Sequence, residues 1–230
     1  MQLARPIHSS IIRIRRFTLL LLLGALAAFT LDGCALLRPH ADPTRFYVLT
    51  VPSPPSAPAA DGEFKRWRVG LRPVEVPSYL RTKFMVVRTG TNEIHFADFD
   101  RWAEPLDQGI SRVLKETLGS ARNVESVALN SHGDDSLDYE VTLQILACHG
   151  MRAATGQSSI CFATTWEVRA AGTNLPAIKH GGFTAVAADW DGANYSQLAT
   201  QLSAAVAAAG KALAADLPAA AMLPGENNTQ

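Results

Sequence analysis

The sequence predicts an α+β domain, an α/β sandwich in which two long helices pack on one face of a sheet. Two segments, residues 106–118 and 195–217, each carry a single apolar stripe at helical spacing. About seven or eight short runs elsewhere either alternate apolar with polar side chains or are rich in β-branched residues. Turn signals separate these runs, so we expect a mainly antiparallel or mixed sheet of about 6–8 short strands.

The first strands belong to the N-terminal half of this domain. Residues 45–51 are rich in aromatic and β-branched side chains and predict the first strand. Residues 52–62 contain four prolines and predict an extended internal loop, after which a second strand is expected at residues 67–76. Residues 84–88 and 93–96 flank the sequence Thr-Gly-Thr-Asn, whose turn chemistry predicts a hairpin.

A helix and three strands follow the hairpin. The stripe in residues 106–118 predicts the helix, and Gly119 is suited to end it. Residues 123–128 predict a brief strand. Residues 139–148 and 160–169 then alternate regularly between apolar and polar side chains, which is typical of two half-buried antiparallel strands.

The last strand and the second long helix complete the domain. Residues 183–188 predict the strand, and Asp191 or Asn194 is placed to cap the helix that follows. Periodicity is lost in residues 218–230, which we expect to form a flexible tail. These limits define a single domain over residues 45–217.

The N-terminus carries a basic segment and then an uninterrupted apolar run at residues 17–29. This order is typical of a secretory signal peptide, here residues 1–33. Cleavage after Gly33 would leave Cys34 first, with a thiol that can take a diacylglyceryl group and an amine that can take an acyl chain such as palmitate. The pattern resembles the lipobox of bacterial lipoproteins, and it makes residues 34–44 a lipid-anchored spacer.

A transmembrane anchor is the alternative interpretation of the same segment. The apolar stretch from residue 17 to residue 31 has 15 residues, whereas a spanning helix needs about 20. It would also have to continue through Asp32 and Arg38, which is costly inside a membrane. Cleavage and lipidation are therefore favoured.

The charge balance argues against nucleic acid as a partner. The whole chain has 21 basic and 21 acidic side chains. Removing residues 1–33 takes away four arginines and one aspartate, which leaves 17 basic and 20 acidic side chains and a net charge of −3. Nucleic-acid binding normally needs a concentrated basic surface, which this composition does not favour.

Beyond Cys34 only two cysteines remain, Cys148 and Cys161. A symmetric hairpin between the two long strands would place them directly opposite each other, and in an oxidising compartment this predicts a candidate disulfide. Two free, partly buried thiols are the alternative. A metal site that uses these cysteines with His149 would lack a fourth ligand at any known spacing, so no metal is expected.

Motifs that carry chemistry are missing from the sequence. It has no P-loop, no GxSxG, no HExxH and no dinucleotide fingerprint. The paired carboxylates Asp134 with Asp135 and Asp189 with Asp191 stand in turn sequences, where turn formation and helix capping explain them better than acid–base catalysis. We therefore expect a protein that is not an enzyme and needs no cofactor.

The block of residues 69–118 resembles the signature of the PqiC/YmbA family, the lipoprotein auxiliary components of ABC-type, Mce-domain transport systems. Three motifs carry this resemblance: Val-Glu-Val-Pro-Ser-Tyr-Leu at residues 74–80, Met-Val-Val-Arg at 85–88 and Phe-Asp-Arg-Trp-Ala-Glu-Pro-Leu at 99–106. The Arg-Phe-Tyr-Val-Leu strand, a strand ending near Trp166 and the Ala/Leu-rich last helix are also similar. The likeness covers most of residues 43–216.

The resemblance implies an outer-membrane lipoprotein that faces the periplasm of a Gram-negative bacterium. Its implied role is to dock the periplasm-spanning Mce-domain protein of a PqiB-like lipid transport system. Pro77, Tyr79, Arg101 and Trp102 are candidate partner-docking residues. Each of these positions also has a purely structural interpretation. A homo-oligomer that matches a tubular partner is possible.

Two other functions are compatible with the sequence. The domain could bind lipid in a cavity of its own, as a periplasm-facing lipoprotein. It could also be an envelope enzyme, for which a deep pocket with convergent carboxylates would be required.

Overall fold

The structure is a computed structural model that describes residues 21–22, 41–52, 66–131, 136–173, 176–187 and 190–218. The chain divides into two compact units, Met1–Pro43 and Thr44–Gln230, and the fold below is that of the second unit. Cys34, most of the predicted leader, most of the proline-rich loop and the tail beyond residue 218 lie outside the described residues. The predictions made for them therefore stay predictions.

Eight strands and two α-helices form the described part of this unit. They are β1 (Arg45–Tyr47), β2 (Trp67–Leu71), β3 (Phe84–Arg88), β4 (Ile94–Trp102), α1 (Leu106–Gly119), β5 (Val124–Leu129), β6 (Tyr139–Arg152), β7 (Ser158–Ala170), β8 (Lys179–Ala187) and α2 (Tyr195–Asp216). The predicted α+β fold is confirmed. β2 ends at Leu71, earlier than predicted, because Pro73 has no amide hydrogen for the ladder.

The sheet is mixed and forks at β6. One edge of β6 pairs with β7, and β7 pairs with β8, both antiparallel. The other edge is shared: the beginning of β6 pairs in parallel with β2, and its end pairs in parallel with β3. The first branch ends at β5, whereas the second continues from β3 through β4 to β1. The fork leaves β1, β5 and β8 as the edge strands of the described sheet.

Both helices cover the same face of the sheet, here called the inner face. Every second residue of β7 points to this face and is buried, namely Ile160, Phe162, Thr164, Trp166 and Val168. Helix α1 packs on β5 and on α2, and α2 packs on β7 and β8. Each fully buried aliphatic or aromatic side chain contributes about 1.5–3 kcal/mol to stability. The inner face is therefore the hydrophobic core of the domain.

Helix α2 is a core helix although its length and composition alone would let it cross a membrane. Eleven of its 22 residues are buried. Asn194 caps its first turn by accepting a hydrogen bond from the amide of Gln197 at 3.1 Å, as predicted. At its other end the indole Nε1 of Trp166 donates to a carboxylate oxygen of Asp216 at 3.1 Å. The first bond caps the helix, and the second joins its C-terminal end to β7.

Trp190 joins the beginning of α2 to the second half of β6. Its side chain is 2% exposed, and its ring lies against Gly150, where an added β-carbon would be only 2.5 Å from Cζ3. Its indole Nε1 donates to the backbone oxygen of Asn194 at 2.9 Å, and its ring meets Tyr195 edge-on with centroids 6.0 Å apart. Gly150 is therefore needed for this close packing.

The β6–β7 hairpin does not have the uniform register that the sequence suggested. At its base Gln144 pairs with Thr165, but a bulge between Ile145 and Ala147 shifts the pairing by one residue. Nearer the tip Cys148 therefore pairs with Phe162, and Cys161 pairs with His149. The extra residue, Leu146, is 49% exposed.

The prediction that Cys148 and Cys161 lie directly opposite each other is wrong. Directly paired residues share a face, so Cys161 lies with His149 on the outer face of the sheet, whereas Cys148 points to the inner face and is 2% exposed. Both thiols are unbonded. Burial in the core raises the pKa of Cys148 to about 12, which keeps this thiol protonated.

Candidate functional site

The predicted motif block builds a groove at one side of the domain. Residues 74–83 pass from β2 to β3 along β6, where Glu75 forms a single parallel bridge with Gln144. They face the segment that leads from β4 into α1, and the groove between the two segments has a volume of 430 Å³. Its lining residues are Val74, Val76, Arg81, Thr82, Lys83, Trp102, Ala103, Glu104, Pro105, Leu106 and Asp107. The first and third sequence motifs thus meet in one place.

Local hydrogen bonds hold the two walls of the groove together. The amide of Trp102 donates to the backbone oxygen of Lys83 at 2.6 Å. The Arg81 side chain donates through Nε to the backbone oxygen of Val76 at 3.1 Å, which fixes the turn that contains the 3-10 helix Ser78–Leu80. The groove is therefore a built feature of the fold.

The groove carries charges of opposite sign on its two walls. Arg81 and Lys83 are exposed on the β3 side, and Glu104 and Asp107 are half-buried on the α1 side. Arg112 pairs with the Glu104 carboxylate and also donates to the backbone oxygen of Leu49. This ion pair orients Glu104, whereas the Lys83 side chain is exposed at the edge of the groove. The arrangement can take a partner with both charged and apolar contacts, and it has no convergent catalytic set.

The structure does not bring the four predicted docking residues together. Trp102 is the last residue of β4, not a loop residue, and its 4% exposed side chain forms the apolar end of the groove. Arg101 lies on the other face of the same strand, because neighbouring residues in a strand point in opposite directions. Tyr79 points to His149, and Pro77 precedes the 3-10 helix without lining the groove.

The outer face of the sheet carries an aromatic patch on β1, β3 and β4, defined by Phe46, Phe84, Ile94 and Phe96. Phe46 and Phe84 both pair in register with Arg101, so the three side chains form one row across the strands. The guanidinium carbon of Arg101 lies 5.1 Å from the Phe84 ring centroid, and the Phe84 and Phe96 centroids are 6.4 Å apart.

Sequence reasoning missed this patch, although a signal for it was present. Phe46 alternates with Tyr47 and Leu49, and Ile94 alternates with His95. Alternation places Phe46 on the face opposite to the core residue Leu49. In β4 strict alternation would put Ile94 and Phe96 on the face of Trp102, and only the register shift that pairs Val86 with Phe96 moves them to the outer face. In a strand that the helices cover on one face only, a second apolar face is unusual and marks a contact surface.

A buried histidine lies elsewhere on the outer face. His149 is 3% exposed, and its Nδ1 is 3.4 Å from the Tyr79 hydroxyl. Its Nε2 is buried without a hydrogen-bond partner among the described residues. Burial, together with the positive charge of Arg88, lowers the pKa of His149 to about 4, so the ring is neutral at pH 7.

A second, larger groove of 860 Å³ lies at the tips of the two hairpins. Arg88 and Arg152 line it together with backbone and small side chains of both tips. Arg88 donates to the backbone oxygens of Gly90 and Thr91, and Arg152 donates to that of Gly192. Within the described ranges, no three His, Cys, Asp or Glu side chains are gathered so that they could hold a metal ion.

The domain that carries the groove matches a known protein family. Residues 47–214 match the model of a family described as the ABC-type transport auxiliary lipoprotein component. The match covers all of the described sheet strands from Tyr47 onward and nearly all of α2. The chain belongs to this family. Membership of the auxiliary lipoprotein family confirms the resemblance found in the motif block, and it indicates a membrane-associated transport component.

Two solved structures share the fold of this auxiliary lipoprotein. One is an uncharacterised protein with 18% sequence identity and a TM-score of 0.58, covering 76% of this chain and 99% of that one. The other, from Xanthomonas campestris, is assigned to the family DUF330, with 13% identity, a TM-score of 0.60, and coverage of 74% and 92%. Identities this low show the fold alone. A comparison with curated protein sequences finds no match.

Proposed function

We propose that this auxiliary lipoprotein is the outer-membrane component of an ABC/Mce-type intermembrane lipid transport system. In this role Cys34 carries the lipid anchor, the domain faces the periplasm, and a non-catalytic surface docks the periplasm-spanning Mce-domain protein. Family membership over residues 47–214 is the observation that carries the proposal. The N-terminal leader supports the anchor, because it ends in a cysteine preceded by a small residue.

The motif groove is the proposed docking surface for the Mce-domain protein. Two motifs that are far apart in the sequence form its two walls, and Trp102 closes its apolar end. Paired charges around an apolar centre are the usual composition of a protein interface. Pro77 and Tyr79 support the turn behind the groove wall. The proposal includes assembly of further copies of the domain around a tubular partner.

Reversing the charge of Lys83 is expected to weaken docking without weakening the fold. In Lys83→Glu the exposed ammonium at the groove edge becomes a carboxylate, so both walls of the groove carry negative charge. An acidic group of the partner that fits against Lys83 is then repelled. We expect at least about tenfold less Mce-domain protein to co-purify with the variant. The measurement is quantitative co-purification from solubilised envelopes, together with the thermal midpoint of the variant.

Lys115→Glu is the matched control, because Lys115 is equally exposed but lies on α1 outside the groove. It should retain normal co-purification. Equal loss with both variants would show that net charge, not the groove, governs the interaction. Normal recovery with Lys83→Glu would remove the groove from the proposal.

Replacing Cys34 by serine is expected to release the mature protein from the membrane. The serine hydroxyl cannot form the thioether, and one or more acyl chains, each worth about 0.8 kcal/mol per buried methylene, are lost. Intact mass of the membrane-extracted protein should show an acylated N-terminus at residue 34 in the wild type. An extracted wild-type chain that keeps its leader and has no acyl group would contradict the anchor.

Lipid binding inside the domain is a second candidate function, favoured only by the 860 Å³ groove with Arg88 and Arg152. An arginine pair can hold a phosphate headgroup, although here both side chains already donate to backbone oxygens. Native mass spectrometry distinguishes the two functions. A stoichiometric phospholipid that is lost in Arg152→Ala would favour the carrier, and a protein without lipid favours the adaptor.

A further inference from the structure

Exposed aromatic side chains of the domain are concentrated at one edge of the sheet. In the described part of the chain three phenylalanines are exposed, and all of them lie on β1 or β4: Phe46, Phe96 and Phe99. Phe46 is 61% exposed and Phe96 is 40% exposed, beside Ile94 at 38%. Leaving such side chains in water is unfavourable, and a cluster of them is typical of a contact surface.

The predicted anchor joins the domain at this same edge. Arg45 is the first residue of β1, and only ten residues lie between Cys34 and Arg45 along the chain. Even a fully extended chain of that length spans only about 40 Å. Phe46 is the next residue of the strand. The aromatic patch therefore begins only a few residues after the spacer that follows the anchor.

Arg101 gives the patch a polar component suited to a phosphate. Its guanidinium group lies over Phe84, and its only hydrogen bond among the described residues is a long one, 3.5 Å, from Nη2 to the backbone oxygen of Asp98. Its Nε is buried without a hydrogen-bond partner within the described ranges. Arginine has five donors and binds phosphate oxygens in pairs, and aromatic rings with a nearby cation are typical of membrane-interface surfaces.

We propose that the aromatic patch of β1, β3 and β4 rests on the phospholipid headgroup region of the membrane that holds the anchor. Phe46, Ile94 and Phe96 insert among the upper acyl carbons, and Arg101 binds a lipid phosphate. The inference rests on the acylation of Cys34 proposed above. It adds a second membrane contact that orients the domain on the bilayer, with the motif groove on a different part of the surface.

Photo-crosslinking in vesicles tests this contact directly. The acylated protein is reconstituted in vesicles of phosphatidylethanolamine and phosphatidylglycerol that contain a trace of phospholipid with a photoactivatable acyl chain. We expect lipid adducts on the β1 and β4 peptides to be about tenfold more abundant than on the β8 peptide, because only the former lie in the interface. The β8 peptide is a stringent reference, since Val186 is 65% exposed on the same face of the sheet.

Paired variants separate insertion from general exposure. Phe46→Ser with Phe96→Ser should reduce the adducts on β1 and β4 several-fold. Val186→Ser with Ile178→Ser, which replaces two apolar residues that are at least as exposed, should leave them unchanged. Equal adduct yields on β4 and β8 in the wild type would overturn the inference. So would crosslinks to a protein instead of lipid from a photoreactive phenylalanine analogue placed at residue 96, when native envelopes are irradiated.

Intact mass of the reconstituted protein distinguishes this failure from failure of the anchor. A protein without an acyl group at Cys34 contradicts the proposed function and this inference together. An acylated protein without lipid adducts on β1 and β4 contradicts only the second membrane contact.

Discussion

Replacing Trp190 by alanine is expected to lower the free energy of unfolding by about 3–5 kcal/mol, the usual cost of removing a buried tryptophan. The indole fills the space above Gly150 and joins β6 to the first turn of α2. Its removal leaves a cavity, and the backbone oxygen of Asn194 keeps only its hydrogen bond from the amide of Leu198. Chemical denaturation followed by far-UV circular dichroism measures the change.

Trp190→Phe is the matched variant, because it keeps an aromatic ring in the cavity and removes the indole donor. It should cost about 1–2 kcal/mol, between the loss of one hydrogen bond and the loss of the whole side chain. A Trp190→Ala protein as stable as the wild type would show that the tryptophan does not join α2 to the sheet.

Acidification from pH 6.5 to about 4 is expected to cost about 2–3 kcal/mol of stability through His149 alone. The folded protein holds the pKa of this histidine at about 4, because burial and Arg88 both disfavour the charged ring, whereas the unfolded chain has the ordinary value of 6.5. Between these values the unfolded chain binds more protons than the folded one. Stability therefore rises with pH in this range and is lost as pH falls through it.

Urea denaturation at a series of pH values measures this effect, and His149→Phe provides the comparison. The variant has no ionisable group at this position. Its loss of stability between pH 6.5 and 4 should therefore be smaller than that of the wild type, and the difference should equal the contribution of His149. An unchanged slope in His149→Phe would show that the histidine titrates normally in the folded protein.

Much of the fold could be predicted from periodicity, because most of its elements bury one face only. The stripes in residues 106–118 and 195–217 identified both helices, and of the two predicted caps, Asp191 and Asn194, the structure has Asn194 at the cap position. β8 begins at Lys179, earlier than predicted, since its first residues include two adjacent glycines that carry no apolar signal. The forked topology could not be predicted, because parallel pairing with β6 joins residues far apart in the sequence, such as Val69 with Tyr139 and Val87 with Gly150.

The cysteine pairing failed for a local physical reason. The tip of the β6–β7 hairpin is a tight turn in which the amide of Gly156 donates to the backbone oxygen of Ala153, and Gly156 has a φ of +83°. This turn centres the tip on Thr155, whereas direct pairing of Cys148 with Cys161 would need a centre between Ala154 and Thr155. At the base of the hairpin, burial of alternating residues fixes a register that differs by one residue, in which Gln144 pairs with Thr165. The bulge at Leu146 reconciles the two registers and separates the cysteines.

The candidate site was found in part. The sequence motifs located the segments that form the groove, and Trp102 does line it. Arg101 and Trp102 were grouped because they are neighbours in the sequence, yet β4 continues through both, so they point to opposite faces. The charged groove residues Lys83 and Asp107 had no motif of their own. Only the approach of the β3 and α1 segments in space identifies them.

The forked sheet has a consequence for the order in which the chain can assemble. Neither branch can finish before β6 is present, because β2 and β3 both await the strand that begins at residue 139. Early segments thus lack their final partners until more than half of the polypeptide has emerged, and such non-local pairing is slow. If the proposed leader exports the chain, this delayed compaction would keep the chain unfolded enough to pass through a translocation pore.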